Sequence, residues 1–421
     1  MLLKRLYQRL KRLPQVLFLL SCLMTFSLGS AHLTIAQPAL FQPRTPPAGL
    51  TQTSGLQSPS SPLKGQDIRG VWMTNNDTEM LIDQQKLQAG VEQLAQLNFN
   101  TLYPVIWNSG YVLYPSAVAQ RHQIQPFVRR SLQGYDILSE LTTQAHRRGL
   151  LVVPWFEFGF MAPLASELVM NHPQWLTQTR SGEETSISAA GEVAWLNPFH
   201  PEVQKFITDL VVEVVTQYDV DGIQFDDHMS LPSEFGYDPY TIALYKKETK
   251  KDPPSNPRDP GWLRWRADKI TAFMVQLQQA VKTRKPQAIF SIAPNTYETA
   301  YRAHLQDWPT WVEKGIVDEL IVQVYRPDLA SFVEQISRPE LQTAQKKIPT
   351  GVAILTGLRN RPMSIQLIRS KVLEARERGL GVAFFYYESL WDKAPEPPVE
   401  RKATFQALFY RPALRSSALI P

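Results

Sequence analysis

Asp219-Val220-Asp221-Gly222-Ile223-Gln224-Phe225-Asp226-Asp227-His228 is the stretch that decides the fold. A helical segment, Pro201 to about Tyr218, runs into it. Val220 to Phe225 then reads as a short buried strand that ends on two adjacent carboxylates and an imidazole. A strand fed by an amphipathic helix is one step of a helix–strand alternation. In parallel α/β folds the carboxyl ends of such strands carry the chemistry. The plainer reading is that Asp226 or Asp227 caps the following loop, a common use of Asp.

The alternation continues on both sides. Short β-branched or aromatic runs read as strands over Ile68–Met73, Thr101–Ile106, Leu150–Phe156, Gly222–Asp226, Ala288–Ala293, Glu319–Val324, Pro349–Ile354 and Gly381–Tyr387. Between them lie amphipathic stretches over Gln84–Leu97, Tyr135–Arg148, Pro201–Tyr218, Leu263–Thr283, Leu305–Lys314, Leu329–Lys346 and Ile365–Arg378. A last helix over Pro398–Leu408 closes the series. Eight strands, each followed by a helix, predict an α/β chain folded as a (β/α)8 TIM barrel. A doubly wound open sheet is the rival, but such sheets usually have fewer strands. No Gly-x-Gly-x-x-Gly turn follows the first strand, so a dinucleotide site is unsupported and no cofactor is expected.

Three strand-to-helix connections are long: Trp107 to Gln133, Gly159 to Asn197 and His228 to Trp262. Long connections in a compact domain are usually functional. In a barrel all three rise from one face, where they would wall a glycan groove. They carry Trp107, Tyr111, Tyr114, Phe158, Phe160, Trp175, Trp195, Phe235 and Tyr237. Aromatic faces stack on the apolar faces of sugar rings. The alternative is that these residues pack the loops against one another.

Side chains alternate along a strand. Gln224 therefore shares a face with Asp226, Trp155 with Glu157, and Tyr386 with Glu388. The fifth strand leads to Asn295 and the sixth to Gln323 and Tyr325. Amides and phenols beside carboxylates suit sugar hydroxyls. Trp72, Trp107, Trp155, Trp195, Gln224, Asp227, His228, Asn295, Gln323, Tyr325 and Tyr386 are therefore expected to bind substrate. Glycoside hydrolysis needs one ionised carboxylate and one protonated carboxyl group. Asp226 is expected in the first role. Glu157 leads for the second, because Trp155, Phe156 and Phe158 could raise its pKa. Glu388 is the other candidate acid, and a salt bridge is the structural alternative for Glu157. No metal site is expected, since Asp226-Asp227-His228 lacks a partner histidine at helical or strand spacing. A Gly-x-Ser-x-Gly elbow is absent as well, which argues against a serine hydrolase of that kind.

The ends and the composition narrow the setting. Lys4, Arg5, Arg9, Lys11 and Arg12 precede an apolar run, Val16 to Leu28, and then Gly29-Ser30-Ala31. This is the layout of a secretory signal over residues 1–31, which predicts an extracytoplasmic protein, periplasmic or secreted. Left uncleaved, the same segment would tether the chain to a membrane. The only cysteine, Cys22, lies inside it, so the rest of the chain has no disulfide and no cysteine nucleophile. The formal charge is +5, but removing those five cations leaves 39 basic against 39 acidic residues. A basic nucleic-acid footprint is absent. Residues 32–66 are rich in Pro, Ser, Thr and Gln and are expected to be a disordered spacer. A folded domain is expected over 67–412, with a loose tail over 413–421.

With these residues in view, the chain resembles the bacterial glycosyl-hydrolase-like family 10, distantly akin to α-amylase-type barrels. The matching stretches include Arg69-Gly70-Val71-Trp72, His146-Arg147-Arg148-Gly149-Leu150, Pro154-Trp155-Phe156-Glu157, Trp195-Leu196-Asn197-Pro198, Tyr218 to Asp227 and Gln323-Val324-Tyr325. The resemblance implies a (β/α)8 barrel acting on cell-envelope glycans outside the cytoplasm. One branch of the family cleaves peptidoglycan glycan strands stripped of their peptides. Asp221 to Asp226 is similar to the fourth-strand Asp-Gly-Phe-Arg-x-Asp motif of amylase-type enzymes, whose final Asp is the nucleophile and matches Asp226. The chain departs from it with Gln224 in place of Arg, and with Ala293-Pro294-Asn295 where those enzymes carry the strand-five acid. The expected function is a glycoside hydrolase with a two-carboxylate mechanism. The alternative is a non-catalytic carbohydrate-binding barrel.

Overall fold

A computed structural model describes residues 67–74, 80–125, 134–188, 191–358, 361–392, 394–413 and 415. The expected signal segment and spacer lie outside the described residues. Eight parallel strands form a closed barrel. They are β1 (Arg69–Met73), β2 (Thr101–Asn108), β3 (Leu151–Val152 and Trp155–Phe156), β4 (Gly222–Asp226), β5 (Ile289–Ala293), β6 (Glu319–Gln323), β7 (Thr350–Leu355) and β8 (Gly381–Phe385). Each pairs with its sequence neighbours, and β1 also pairs with β8, Gly70 lying opposite both Thr101 and Ala383. The barrel predicted from sequence is thus the one observed.

The differences in detail have local causes. The third strand was expected unbroken over 150–156. It is split at Val153-Pro154, where Pro154 has no N–H to donate to a ladder. The register slips between Val105 and Trp107 on the β2 side of the same break. The stretch expected as one helix over 329–346 ends at Ile336 and restarts at Pro339, because a residue before proline avoids the helical region.

The surrounding helices are α1 (Gln84–Gln96), α2 (Ile137–His146), α3 (Pro201–Gln217), α4 (Pro260–Arg284), α5 (Trp308–Glu313), α6 (Leu329–Ile336), α7 (Ile365–Glu377) and α8 (Pro398–Leu408). Their starts follow the capping chemistry of the sequence. Asp83, Asp136, Asp259 and Ser364 each accept from backbone N–H groups of the first turn of α1, α2, α4 and α7. Among the described residues no helix is long and apolar enough to cross a membrane.

The barrel axis holds a polar chain. The Trp72 indole donates to Gln224 Oε1 (2.7 Å), Gln224 Nε2 to Ser291 Oγ (3.0 Å), and Ser291 Oγ to Glu319 Oε1 (2.8 Å). Tyr103 also donates to Glu319 Oε1 (2.9 Å). At the bottom the Arg415 guanidinium pairs with Glu319 Oε2 and donates to Thr101 Oγ1 (2.7 Å). Glu319 is fully buried and the Arg415 side chain is 5% exposed. The expectation of a loose tail from 413 is therefore corrected at the positions described. Asn100 donates to the Ala413 carbonyl (3.0 Å), and Arg415 is the counter-charge a buried carboxylate requires.

The long connections above β2, β3 and β4 fold onto one another. Met161–Pro163, Thr185–Ser188 and Gly191–Trp195 make a small antiparallel sheet. Asp238, at the start of helix Pro239–Thr249, accepts from Thr177 Oγ1 (2.8 Å) and Asn197 Nδ2 (2.9 Å) and so ties the third connection to the fourth. Arg266 of α4 is buried and donates to the carbonyls of Ser233 (2.7 Å), Phe235 (2.5 Å) and Pro257 (2.6 Å), which shapes the fourth connection.

Candidate active site

β4 delivers Asp226 to the barrel mouth, with its side chain 4% exposed. The Trp155 indole of β3 donates to Asp226 Oδ2 (3.2 Å), and the His228 backbone N–H donates to Asp226 Oδ1 (2.9 Å). One residue past the strand, Asp227 turns to other partners. Asn295 Nδ2 donates to its Oδ2 (2.8 Å) and Gln323 Nε2 to its Oδ1 (3.2 Å). The two adjacent carboxylates therefore face different sets of donors.

His228 is placed by the backbone of the third connection. Its Nδ1 lies 2.8 Å from the Glu157 carbonyl, 3.3 Å from Asp226 Oδ1 and 3.8 Å from Asp227 Oδ1. The His228 carbonyl accepts from Phe160 N (3.0 Å). Gly159 makes this approach possible: its φ is +46°, and a Cβ there would stand 2.3 Å from the His228 oxygen. Gln306 Nε2 donates to the carbonyls of Asp226 (2.8 Å) and Met229 (3.3 Å), fixing the exit of the chain from β4.

Glu157 ends the third strand region, half-buried, and its Oε2 accepts from Asn108 Nδ2. Asn108 lies at the end of β2, two residues beyond the strand predicted from sequence, and was not among the expected site residues. Its Oδ1 accepts in turn from Ser109 Oγ (2.6 Å).

The electrostatics separate the acids. Burial first, then the negative charge of Asp226, push Glu157 up to about 8. Burial raises Asp226 to about 6, against the pull of His228. Burial would raise Asp227 too, but the charges of His228 and His304 and the Gln323 hydrogen bond outweigh it and hold the group below its ordinary range. Burial would lower His228, yet Asp227 and Asp226 outweigh it and carry the imidazole up to about 10. Tyr325 is raised by burial and then by the charges of Asp227, Asp226 and Glu157, so its phenol faces the same cluster. These shifts favour a protonated Glu157 beside an ionised Asp226, with the imidazolium of His228 next to both aspartates.

Asp226, Asp227 and His228 offer ligand atoms within 4.8 Å of one another, a spacing that a metal ion could use. Each of the four carboxylate oxygens accepts one hydrogen bond, from Trp155, the His228 backbone, Asn295 or Gln323.

Several residues expected to bind substrate are buried among protein partners. Gln224 is fully buried, with both ends of its amide in the axial chain, and does not reach the mouth. Trp72 belongs to that chain and stacks on Tyr103 at 5.2 Å. Trp107 is buried and donates to the Gly159 carbonyl (3.0 Å). Trp195 is buried, bonded to Ser186 Oγ (3.0 Å), with its ring 6.3 Å from His228. Tyr386 is buried as well, its backbone N–H held by Ser389 Oγ (3.0 Å). Of the nine loop aromatics only Tyr111 is not buried, so the set packs the connections together rather than lining an aromatic groove. Glu388 opens a 3-10 turn, Glu388–Leu390, just past β8, where burial first and then the Glu388 charge raise Tyr387.

Residues 67–372 match the family described as glycosyl hydrolase-like 10. The glycosyl hydrolase DigH of Escherichia coli K12 is 26% identical over 322 residues, 67% of this chain and 70% of that protein. The glycosyl hydrolase YngK of Bacillus subtilis is 23% identical over 297 residues, 62% of this chain and 54% of its own. Among solved structures, the PgaB glycoside hydrolase domain from Bordetella bronchiseptica aligns with a TM-score of 0.62 at 15% identity. It covers 83% of this chain and 100% of that domain. The β-amylase catalytic domain from Paenibacillus polymyxa aligns with a TM-score of 0.57 at 9% identity, covering 83% and 100%. At these identities the structural likeness speaks for the barrel alone. The family match spans most of the chain, and with it the expectation of a glycosidase is met at the level of family: the chain belongs to the glycosyl hydrolase-like 10 family.

Proposed function

We propose that this protein is a glycoside hydrolase acting on a cell-envelope glycan outside the cytoplasm, with peptidoglycan glycan strands as the first substrate to test. The observation that carries the reading is the pair of carboxyl groups in one mouth, held in opposite protonation states at neutral pH: Glu157 at about 8 and Asp226 at about 6. The basic and apolar layout of residues 1–31, read from sequence, supports the compartment. The names of the curated relatives support the reaction class.

In this mechanism Glu157 gives its proton to the glycosidic oxygen as that bond breaks. Asp226 meets the positive charge growing at the anomeric carbon, by attacking it directly or by activating a water. His228 stands in for the arginine that amylase-type sites keep beside the nucleophile. Its positive charge, 3.3 Å from Asp226 Oδ1, favours the ionised carboxylate that burial alone would protonate. Asn108 holds Glu157 toward the mouth, and Asn295 and Gln323 fix Asp227.

The test is incubation with purified peptidoglycan, intact and peptide-stripped, followed by mass analysis of the released fragments. Saccharide fragments that vanish with Asp226→Asn and Glu157→Gln support the reading. Tight binding of the strands without any release would instead identify a carbohydrate-binding barrel.

A further inference from the structure

Two strand ends lead out of the catalytic mouth toward one groove. β5 leads to Asn295, which holds Asp227, and the next residue is Thr296. β6 leads through Gln323, which also holds Asp227, to Tyr325 and then Arg326. Thr296 and Arg326 both line one groove, together with Tyr297, Trp308 and Arg338. Tyr297 also borders an adjoining groove that contains Tyr301.

The lining chemistry is that of a sugar platform with an anion contact. Tyr297 and Tyr301 are one turn apart on helix Tyr297–His304, with ring centres 5.9 Å apart, and both are half-buried. Tyr297 is held in one orientation by its hydroxyl on Asp307 Oδ1 (3.3 Å) and by an edge contact to Trp308 at 5.7 Å. The loop aromatics at the barrel mouth are almost all buried, whereas these two are half-buried; the Arg264 guanidinium lies over the Tyr301 ring at 4.9 Å, which makes Tyr297 the principal platform.

Two donors in the first groove lack acceptors. Arg326 is half-buried, and among the described residues its guanidinium has no hydrogen bond, ion pair or ring partner. Its backbone is fixed by the buried Lys371, whose Nζ donates to the Arg326 carbonyl (2.5 Å). The Trp308 indole N–H is buried without an acceptor. Two acids also border the groove. Glu298 pairs with Arg302 at 3.8 Å, and Glu340 lies in the first turn of helix Pro339–Gln345, where the helix end favours its charge.

We infer that this groove is a subsite for sugar units away from the cleaved bond, and that Arg326 binds a carboxylate on that glycan. The inference rests on the glycosidase reading for its substrate, and on the unpaired guanidinium for its charge. A half-buried guanidinium has lost part of its hydration, and a carboxylate replaces that hydration with two parallel N–H···O bonds. The carboxylate can be an ether-linked acid on an amino sugar or the ring acid of a uronic acid.

The experiment compares the intact protein and Arg326→Gln on two probes: peptide-stripped peptidoglycan strands and hexuronic-acid oligosaccharides. Each is supplied with free and with methyl-esterified carboxyls. The wild type is expected to prefer the free acid of one probe by about tenfold or more in kcat/KM, mostly through KM. Arg326→Gln is expected to bring that ratio to about one, with unchanged melting temperature, and Arg326→Lys to retain part of it. Tyr297→Ala should weaken long chains more than disaccharides. A preference that survives Arg326→Gln, or esterified and free forms that behave alike on both probes, would overturn the subsite. If no probe is cleaved, the same ratios are read as Kd by calorimetry. An Arg326-dependent preference in binding then supports the subsite while sinking the hydrolase reading. Failure to bind either form sinks the subsite.

Discussion

Two carboxyl groups in one buried mouth cannot both ionise without a large cost, and the neighbours decide which one does. Asp226 has the Trp155 indole and the His228 imidazolium; Glu157 has a single amide from Asn108 and faces the charge of Asp226. Activity against pH is expected to rise through about 6 as Asp226 ionises and to fall through about 8 as Glu157 loses its proton. Replacing Asp226 by Asn should cost about a hundredfold or more in kcat while the fold persists, which melting curves alongside turnover would check. Glu157→Gln should remove the alkaline limb and slow poor leaving groups most; an intact limb there, lost instead in Glu388→Gln, would move the acid role to Glu388. His228→Gln removes the cation that favours ionised Asp226, so the acid limb should shift to higher pH. A limb that stays put would dissociate His228 from Asp226. The acids were legible because they end strands. Asn108 was not, since the strand was expected to end at Ile106 and an asparagine followed by Ser109-Gly110 reads as a turn residue. Nor was the burial of Trp72, Trp107 and Trp195, because a large aromatic looks the same in a sequence whether it packs a loop or meets a ligand.

Elements meet where the third and fourth connections touch, at Gly159 against the His228 carbonyl. Any side chain at 159 must move that carbonyl, and with it the imidazole that sits between the two aspartates. Gly159→Ala, which adds a Cβ in a left-handed conformation, is expected to cost about 1–3 kcal/mol and to depress kcat more than it raises KM. Thermal unfolding and steady-state kinetics on the same sample check both effects, and a fully active variant would show that the contact is slack. The helix–strand alternation was legible throughout, from periodicity and from capping aspartates such as Asp83 and Asp136. The break in β3 was written in Pro154. The slip of register beside it follows from pairing across the barrel, which no local pattern encodes.

Across the whole molecule, stability and function pull in opposite directions at Glu157. Its carboxyl titrates at about 8 folded, against an ordinary 4.5. The folded state therefore holds a proton that the unfolded chain has released over that window. The stability tied to this proton is complete below 4.5 and is lost as pH rises through 8. Glu157→Gln should melt above the wild type at pH 8.5, with the gap closing toward pH 4.5; a gap independent of pH would contradict the raised pKa. At the other end of the barrel, ending the chain after Pro412 strands Glu319 without Arg415. A loss of about 3–5 kcal/mol in denaturant titration is expected, and Glu319→Gln in the shortened chain should recover part of it. Composition marked those last residues as loose because it counts apolar side chains, and a single arginine reaching a buried carboxylate leaves no trace in such a count.

That arginine also sets an order of events in time. β1 is made first but finds one of its two neighbours only when β8, Gly381–Phe385, has been made, and Glu319 finds its counter-charge later still. The closed cylinder needs β8, and the neutral axis needs Arg415 as well. A chain that ends between Phe385 and Arg415 has every barrel strand but carries Glu319 without its counter-charge. The charge balance at the centre of the barrel is thus completed from outside the eight strands, by a residue that belongs to none of them.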